Sequence, residues 1–184
     1  MTKSIIVVFD PRRRQRAIVV KADQHVEVFV PFAKIITGEY AVRVVLSGKN
    51  ASARIRGGGV LSGSHNVKLT VDTIHKAPDT KGSTLIRTVV KDGASLDFNG
   101  MIGISRRAQR SEDFLQQHSL LLSNNACATS VPALEIEANN VKASHAATVA
   151  PLDPEQLFYL RSRGISNKVA EGMVAKAFLK SVQS

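Results

Sequence analysis

Short runs of apolar residues, several in strict alternation with polar ones, fill the first 150 positions of the chain. Residues 4–9 and 17–20 are compact apolar runs, and residues 25–30 alternate until Pro31 ends them. Residues 40–46, 51–56, 66–72, 84–90, 94–98 and 134–138 continue the pattern. β-Branched residues dominate these runs, and Gly, Asn, Asp, Ser or Pro separate them, so each predicts a short strand. Gly57, Gly58 and Gly59 read as a turn between two of them. Helical periodicity is essentially missing before residue 150, which argues against a doubly wound α/β fold. A sandwich, a barrel or a β-solenoid remains, and strand spacing alone does not choose among them. No strict short repeat is visible, so a solenoid would need irregular coils.

The period then changes. Asp153 suits an N-cap, Pro154 the first helical position, and Gln156 the far end of a capping box. Leu157, Phe158 and Leu160 supply an apolar face, and Gly164 is a natural terminator. Ser166 can cap a second helix, in which Val169, Met173, Val174, Ala177 and Phe178 recur at helical spacing as one apolar stripe. The chain therefore divides into a β core over residues 1–150 and a helical segment over residues 151–184, a hairpin linked through residues 163–166. Such a tail must bury its stripe on the β body or on a partner. Most of Leu157, Phe158, Leu160, Val169, Met173 and Phe178 are expected to cap the open end of that body.

Charge adds a possible partner class. The formal net charge is +10, and it is uneven: residues 1–110 carry 19 Lys and Arg against 8 Asp and Glu, residues 111–184 carry 6 against 7. Arg12, Arg13 and Arg14 (with Arg16) form one cluster, Arg106 and Arg107 (with Arg110) another, and such clusters attract polyanions. Single-strand readers place stacking aromatics beside their basic residues. Neither cluster contains one and Trp is absent, so solvated turns are the favoured reading and nucleic acid is not the expected partner.

Cys127 is the one cysteine, which excludes an intrachain disulfide and a four-thiolate metal site within the chain. It reads as a buried or loop thiol. The apolar runs are far shorter than a membrane span and no signal-peptide pattern opens the chain, so a cytoplasmic protein without membrane association is expected. No phosphate-binding loop, dinucleotide fingerprint, nucleophile elbow or zinc-protease motif is present. The acidic residues are scattered and the five histidines share no close ligand spacing. A non-enzyme is the expectation.

Several later segments carry a resemblance. Residues 119–123, 132–136, 141–145 and 152–166 follow in order, and the stretch Gln-Leu-Phe-Tyr-Leu-Arg-Ser-Arg-Gly-Ile-Ser at 156–166 is the most specific. Upstream stand His75-Lys-Ala-Pro-Asp-Thr80 with Ser83, then Asn99-Gly-Met-Ile102 with Gln109. Together, over roughly residues 65–184, these resemble the C-terminal core of the SufB/SufD family, scaffold components of SUF-type iron–sulfur cluster assembly. The resemblance implies a right-handed parallel β-helix with a short C-terminal helical hairpin. It also implies pairing with a SufB-like or identical subunit, as a dimer, and docking of a SufC-like ABC ATPase. Phe158, Tyr159, Arg161, Arg163 and Gly164 would then lie in or near the ATPase-docking surface.

His145 stands where SufD-like proteins have a histidine near the subunit interface, and is the candidate for metal or cluster chemistry. Ala146 follows it where SufB-like proteins tend to carry Glu, which makes the chain look SufD-like. Ala143 stands where Cys is frequent, and Gln117 where SufB-type proteins carry a cysteine. No tightly bound cofactor is implied, only iron or an iron–sulfur cluster held transiently at a subunit interface. Two other readings stay in play: a self-assembling architectural β-solenoid, and a basic nucleic-acid-binding protein.

Overall fold

The computed structural model describes residues 3–32 and 35–183. The strands in chain order are β1 (Lys3–Val8), β2 (Gln15–Val20), β3 (Gln24–Pro31), β4 (Gly38–Leu46), β5 (Ser52–Leu61) and β6 (Asn66–His75). They continue with β7 (Lys81–Val90), β8 (Ser95–Ile104), β9 (Glu112–Leu121), β10 (Cys127–Ile136) and β11 (Lys142–Pro151). Helices α1 (Pro154–Ser162) and α2 (Asn167–Gln183) follow. Odd strands form one sheet in the order β1-β3-β5-β7-β9-β11, and even strands form a second in the order β10-β8-β6-β4-β2. Every pairing is parallel. A chain that visits the two sheets alternately and adds one parallel strand to each per turn is a β-solenoid. Cross-coil contacts join residues 27, 29, 30 or 31 positions apart, so the coils are irregular in length, which is why no repeat shows in the sequence.

Alternation along each strand sends every second side chain into the lumen. Parallel register then stacks like positions into columns. One column runs Val20, Leu46, His75, Ile104 and Ile136; another runs Val7, Val28, Ile55, Thr84, Leu115 and His145. Turns from the even to the odd sheet reuse one device. Asp23, Asn50, Asp79 and Arg110 each hold φ between 58° and 61°, a region Asn and Asp tolerate better than most residues. Adjacent turns are laced together: Asn50 Nδ2 donates to Asp23 Oδ1 at 3.0 Å, and Arg110 donates twice to Asp79 at 2.7 and 2.8 Å.

Three sequence expectations change. Gly57, Gly58 and Gly59 are not a turn; they lie inside β5. A Cβ on Gly58 would sit 2.6 Å from Val182 Cγ2 of α2, so this bare stretch of strand is where the helix lands. Secondly, the tail does not cap the open end of the solenoid. It lies across the outer face of the odd-strand sheet, where Ala175, Leu179 and Val182 pack on Val89 and Leu120. Thirdly, the apolar stripe of α2 splits. Ala170, Ala175, Leu179 and Val182 are buried, with Val174 and Phe178 beside them, whereas Val169, Met173 and Ala177 face solvent. At helical spacing the two sets occupy different faces, and only one meets the sheet.

At the hairpin the local signals hold. Asp153 Oδ1 accepts from Glu155 N at 2.9 Å with Pro154 beside it, and Gly164 ends α1 with φ +80°. Ser166 precedes α2 and its carbonyl accepts from Ala170 N at 2.9 Å. Among the described residues Gln156 makes no return bond, so the cap is not a full box.

Candidate functional site

The last coil leaves the solenoid open. β10 and β11 are the terminal strands of their sheets, each paired on one side only. Both are exposed over most of their length. His145 shares the lumen-facing register of Leu115 but has no coil beyond it, so it is exposed at the mouth. Leu134, Ile136 and Val149, in register with the buried Ile102, Ile104 and Ser119, are partly uncovered around it. Free backbone edges beside apolar side chains are a template for another polypeptide. Among the described residues no three His, Cys, Asp or Glu side chains gather to hold a metal. His145 is thus a single donor, and a metal held there would take its other donors from elsewhere.

Behind the mouth a few polar side chains interrupt the apolar lumen. His75 and Asp113 are both fully buried, and His75 Nε2 lies 2.8 Å from Asp113 Oδ2. On its other side His75 Nδ1 is 2.7 Å from Thr80 Oγ1, which donates to the Ala77 carbonyl and also meets Ser111 Oγ at 2.7 Å. Facing a carboxylate, which accepts, Nε2 is the donor of the pair with Asp113 Oδ2. The column through Asp113 runs Val26, Ala53, Gly82, Asp113 and Ala143. A Cβ on Gly82 would collide with the Asp113 carboxylate, so a glycine makes its room. The hydroxyl–imidazole–carboxylate line has the parts of a hydrolytic triad, but no member reaches solvent; it is a tie between coils. A second polar group follows along the lumen. Gln117 Nε2 donates to Ser119 Oγ at 2.7 Å, and Ser119 meets Thr88 Oγ1 at 2.9 Å.

Residue pattern flagged His75 and Thr80 only through the resemblance, and passed over Asp113 entirely. The available signal was the weak alternation of residues 112–121, where Asp113, Gln117 and Ser119 occupy inward positions.

The hairpin carries the other candidates. Phe158 is 75% and Tyr159 58% exposed. The Arg163 guanidinium lies 5.4 Å from the centre of the Tyr159 ring. Arg161 is exposed, and Gly164 forms the turn. Together with exposed Val169 and Met173 these five residues belong to the side of the hairpin that the sheet does not cover.

The arginine clusters are not brought together. Arg12, Arg13 and Arg14 lie in the first turn from odd to even sheet, Arg106 and Arg107 in a turn from even to odd three coils later. A ten-residue strand spans about 33 Å, so the clusters stand at opposite edges and make no single polyanion track. Arg12 pairs with Asp10 at 3.1 Å, which holds the Asp10 carboxyl below its usual range, and Arg14 sits 5.8 Å from the Tyr40 ring. Cys127 is neither buried nor in a loop: it is exposed at the start of β10. Among the described residues no helix is long and apolar enough to cross a membrane.

Beneath α2, Arg87 Nη1 donates to the Phe178 carbonyl at 2.9 Å and lies 5.2 Å from that ring's centre. His118 is its register neighbour on β9. Desolvation, then the Arg87 charge, push the His118 pKa below 6.5. The unfolded chain therefore takes up this proton first. Stability is full above about pH 6.5 and falls as pH drops through the folded-state value. Urea midpoints at pH 7.5 and 5.0 should differ less in His118→Gln than in the native chain; equal differences would remove His118 from the pH response.

A family model described as the SUF system FeS cluster assembly, SufBD core domain, matches residues 14–178. The chain belongs to the SufBD core-domain family. Its SufBD relatives include SufD of Escherichia coli, 42% identical over 94 residues, or 51% of this chain and 22% of that one. An iron–sulfur cluster assembly SufBD-family protein of Staphylococcus saprophyticus is 33% identical over 107 residues, and SufB of Bacillus subtilis 31% over 107; each alignment covers 58% of this chain and 23% of the relative. The matched SufBD segments thus span less than a quarter of those relatives' lengths. The expected family and the mainly β solenoid with two C-terminal helices both stand.

Proposed function

We propose that this chain is a SufD-like, non-catalytic component of SUF-type iron–sulfur cluster assembly. Its terminal coil pairs with a SufB-like or identical subunit, and its hairpin docks a SufC-like ABC ATPase that supplies the energy. Iron or a nascent cluster is cargo at the subunit interface, with His145 contributing one donor. The observation that carries the reading is the exposure of Phe158, Tyr159, Val169 and Met173 on a hairpin whose other face is already used against the sheet. Large exposed apolar groups on a structured element mark a protein contact. Higher identity to a SufD than to a SufB favours the SufD-like side.

The test is binding of the full chain to a SufC-like ATPase, measured by calorimetry. Phe158→Glu with Met173→Glu, both at exposed positions, should weaken binding at least tenfold while leaving the melting temperature within a few degrees. Native-like affinity in that variant would refute hairpin docking. In the paired complex under anaerobic conditions, His145→Ala should take up less iron; equal uptake would remove His145 as a ligand.

A further inference from the structure

A groove of about 530 Å³ runs between α2 and the turns that follow β7 and β9, a volume typical of small-molecule sites. Its floor is apolar: Val89 is buried on the sheet, and Ala175 and Leu179 are buried on the helix. Val60 forms an exposed apolar wall. Lys91 from the turn after β7 and Lys168 and Lys176 from α2 stand around it.

The charges at the rim are unequally satisfied. Asp92 Oδ2 accepts from Gly63 N at 2.9 Å, and Glu171 Oε1 from Asn167 Nδ2 at 2.6 Å. The three ammoniums make no hydrogen bond or ion pair among the described residues. Three cations against two engaged carboxylates leave the groove one positive charge in excess, which suits a monoanion.

Gly172 is a second, independent pointer. It lies one helical turn from both Lys168 and Lys176. Glycine is among the poorest helix formers, so one in a helix interior calls for a reason. Gly58 has one, because α2 presses on it. Gly172 does not: a Cβ there would meet nothing within 4 Å. Gly172 lines the groove with Lys168 and Lys176, and its bare backbone faces open space there.

We propose that this groove binds a small amphipathic carboxylate, its apolar body on Val60, Val89 and Leu179 and its head among Lys91, Lys168 and Lys176. A bare inorganic anion would meet only solvent-screened lysines and waste the floor, and a neutral apolar molecule would leave the ammoniums unanswered. The site needs neither a second subunit nor iron, so it stands or falls apart from the assembly role.

The probe is decanoate, kept below its micelle concentration and titrated into the full chain by calorimetry. Saturable binding of one molecule per chain is expected, weakening several-fold on raising salt from 50 to 300 mM and at least tenfold weaker for decanol. Lys91→Glu with Lys168→Glu should weaken binding at least tenfold. Gly172→Leu should abolish it without lowering the melting temperature, since leucine favours the helix. Phe158→Ser with Met173→Ser should bind as the native chain does, which separates the groove from the exposed apolar residues of the hairpin. Decanol binding as tightly as decanoate, loss of binding in that last variant, or unchanged affinity in the Lys91→Glu, Lys168→Glu pair would each overturn the proposal.

Discussion

Asp113→Ala is expected to cost about 1–3 kcal/mol of folding stability, the penalty for leaving a buried hydrogen-bond donor without its partner. Among the described residues the carboxylate is the one acceptor for His75 Nε2, and both side chains are sealed from solvent. Without it an imidazole N–H is stranded among Leu46 and Ile104, its neighbours in the column. Domains are stable by only about 5–15 kcal/mol, so a large share of the total is at stake. Urea unfolding should show a lower midpoint with an unchanged slope. Gly82→Ala should reproduce much of the loss, because the added methyl occupies the carboxylate's position. A cost below about 1 kcal/mol for Asp113→Ala would mean that the lumen relaxes around an unpaired His75, against the usual penalty for a buried unsatisfied donor.

Gly58→Val is expected to lift α2 off the sheet. Its side chain would enter the space of Val182 and the Arg87 carbonyl, and overpacking of this kind costs roughly 1–3 kcal/mol. Here the helix can yield more readily than the coil, because β5 is held by parallel ladders on both sides while α2 rests on one apolar face and the Arg87 clasp. Amide exchange across residues 167–183 should accelerate at least tenfold, with β5 to β9 still protected. Unchanged protection in α2 would show that the close approach at Gly58 is not what seats the helix.

These two glycines illustrate where reading the chain stops. Strand after strand was legible because each coil obeys a local rule: alternate residues face the lumen and β-branched side chains fill it. The helix ends were legible for the same reason, since Asp153, Pro154 and Gly164 act through their own backbone neighbours. Residues 112–121 were harder, because Asp113, Gln117 and Ser119 put polar groups on the inward face and hide the alternation. The glycine run at 57–59 misled, because glycine in a strand means close approach as readily as a turn, and the approaching Val182 is far away in sequence.

By itself, then, the order of residues determined a β chain of short strands, a two-helix tail with its caps, and the family through the 156–166 stretch. Such features depend on periodicity, local hydrogen bonding and contiguous motifs. Only the tertiary structure decided that the strands form two parallel sheets of one coil, that Asp113 meets His75, that the arginine clusters stand apart, and that the tail covers a sheet face and leaves the mouth free. Those outcomes depend on register between coils of unequal length and on which of two apolar helix faces meets Val89, Leu120 and the bare backbone of Gly58, and neither is written in any local window of the chain.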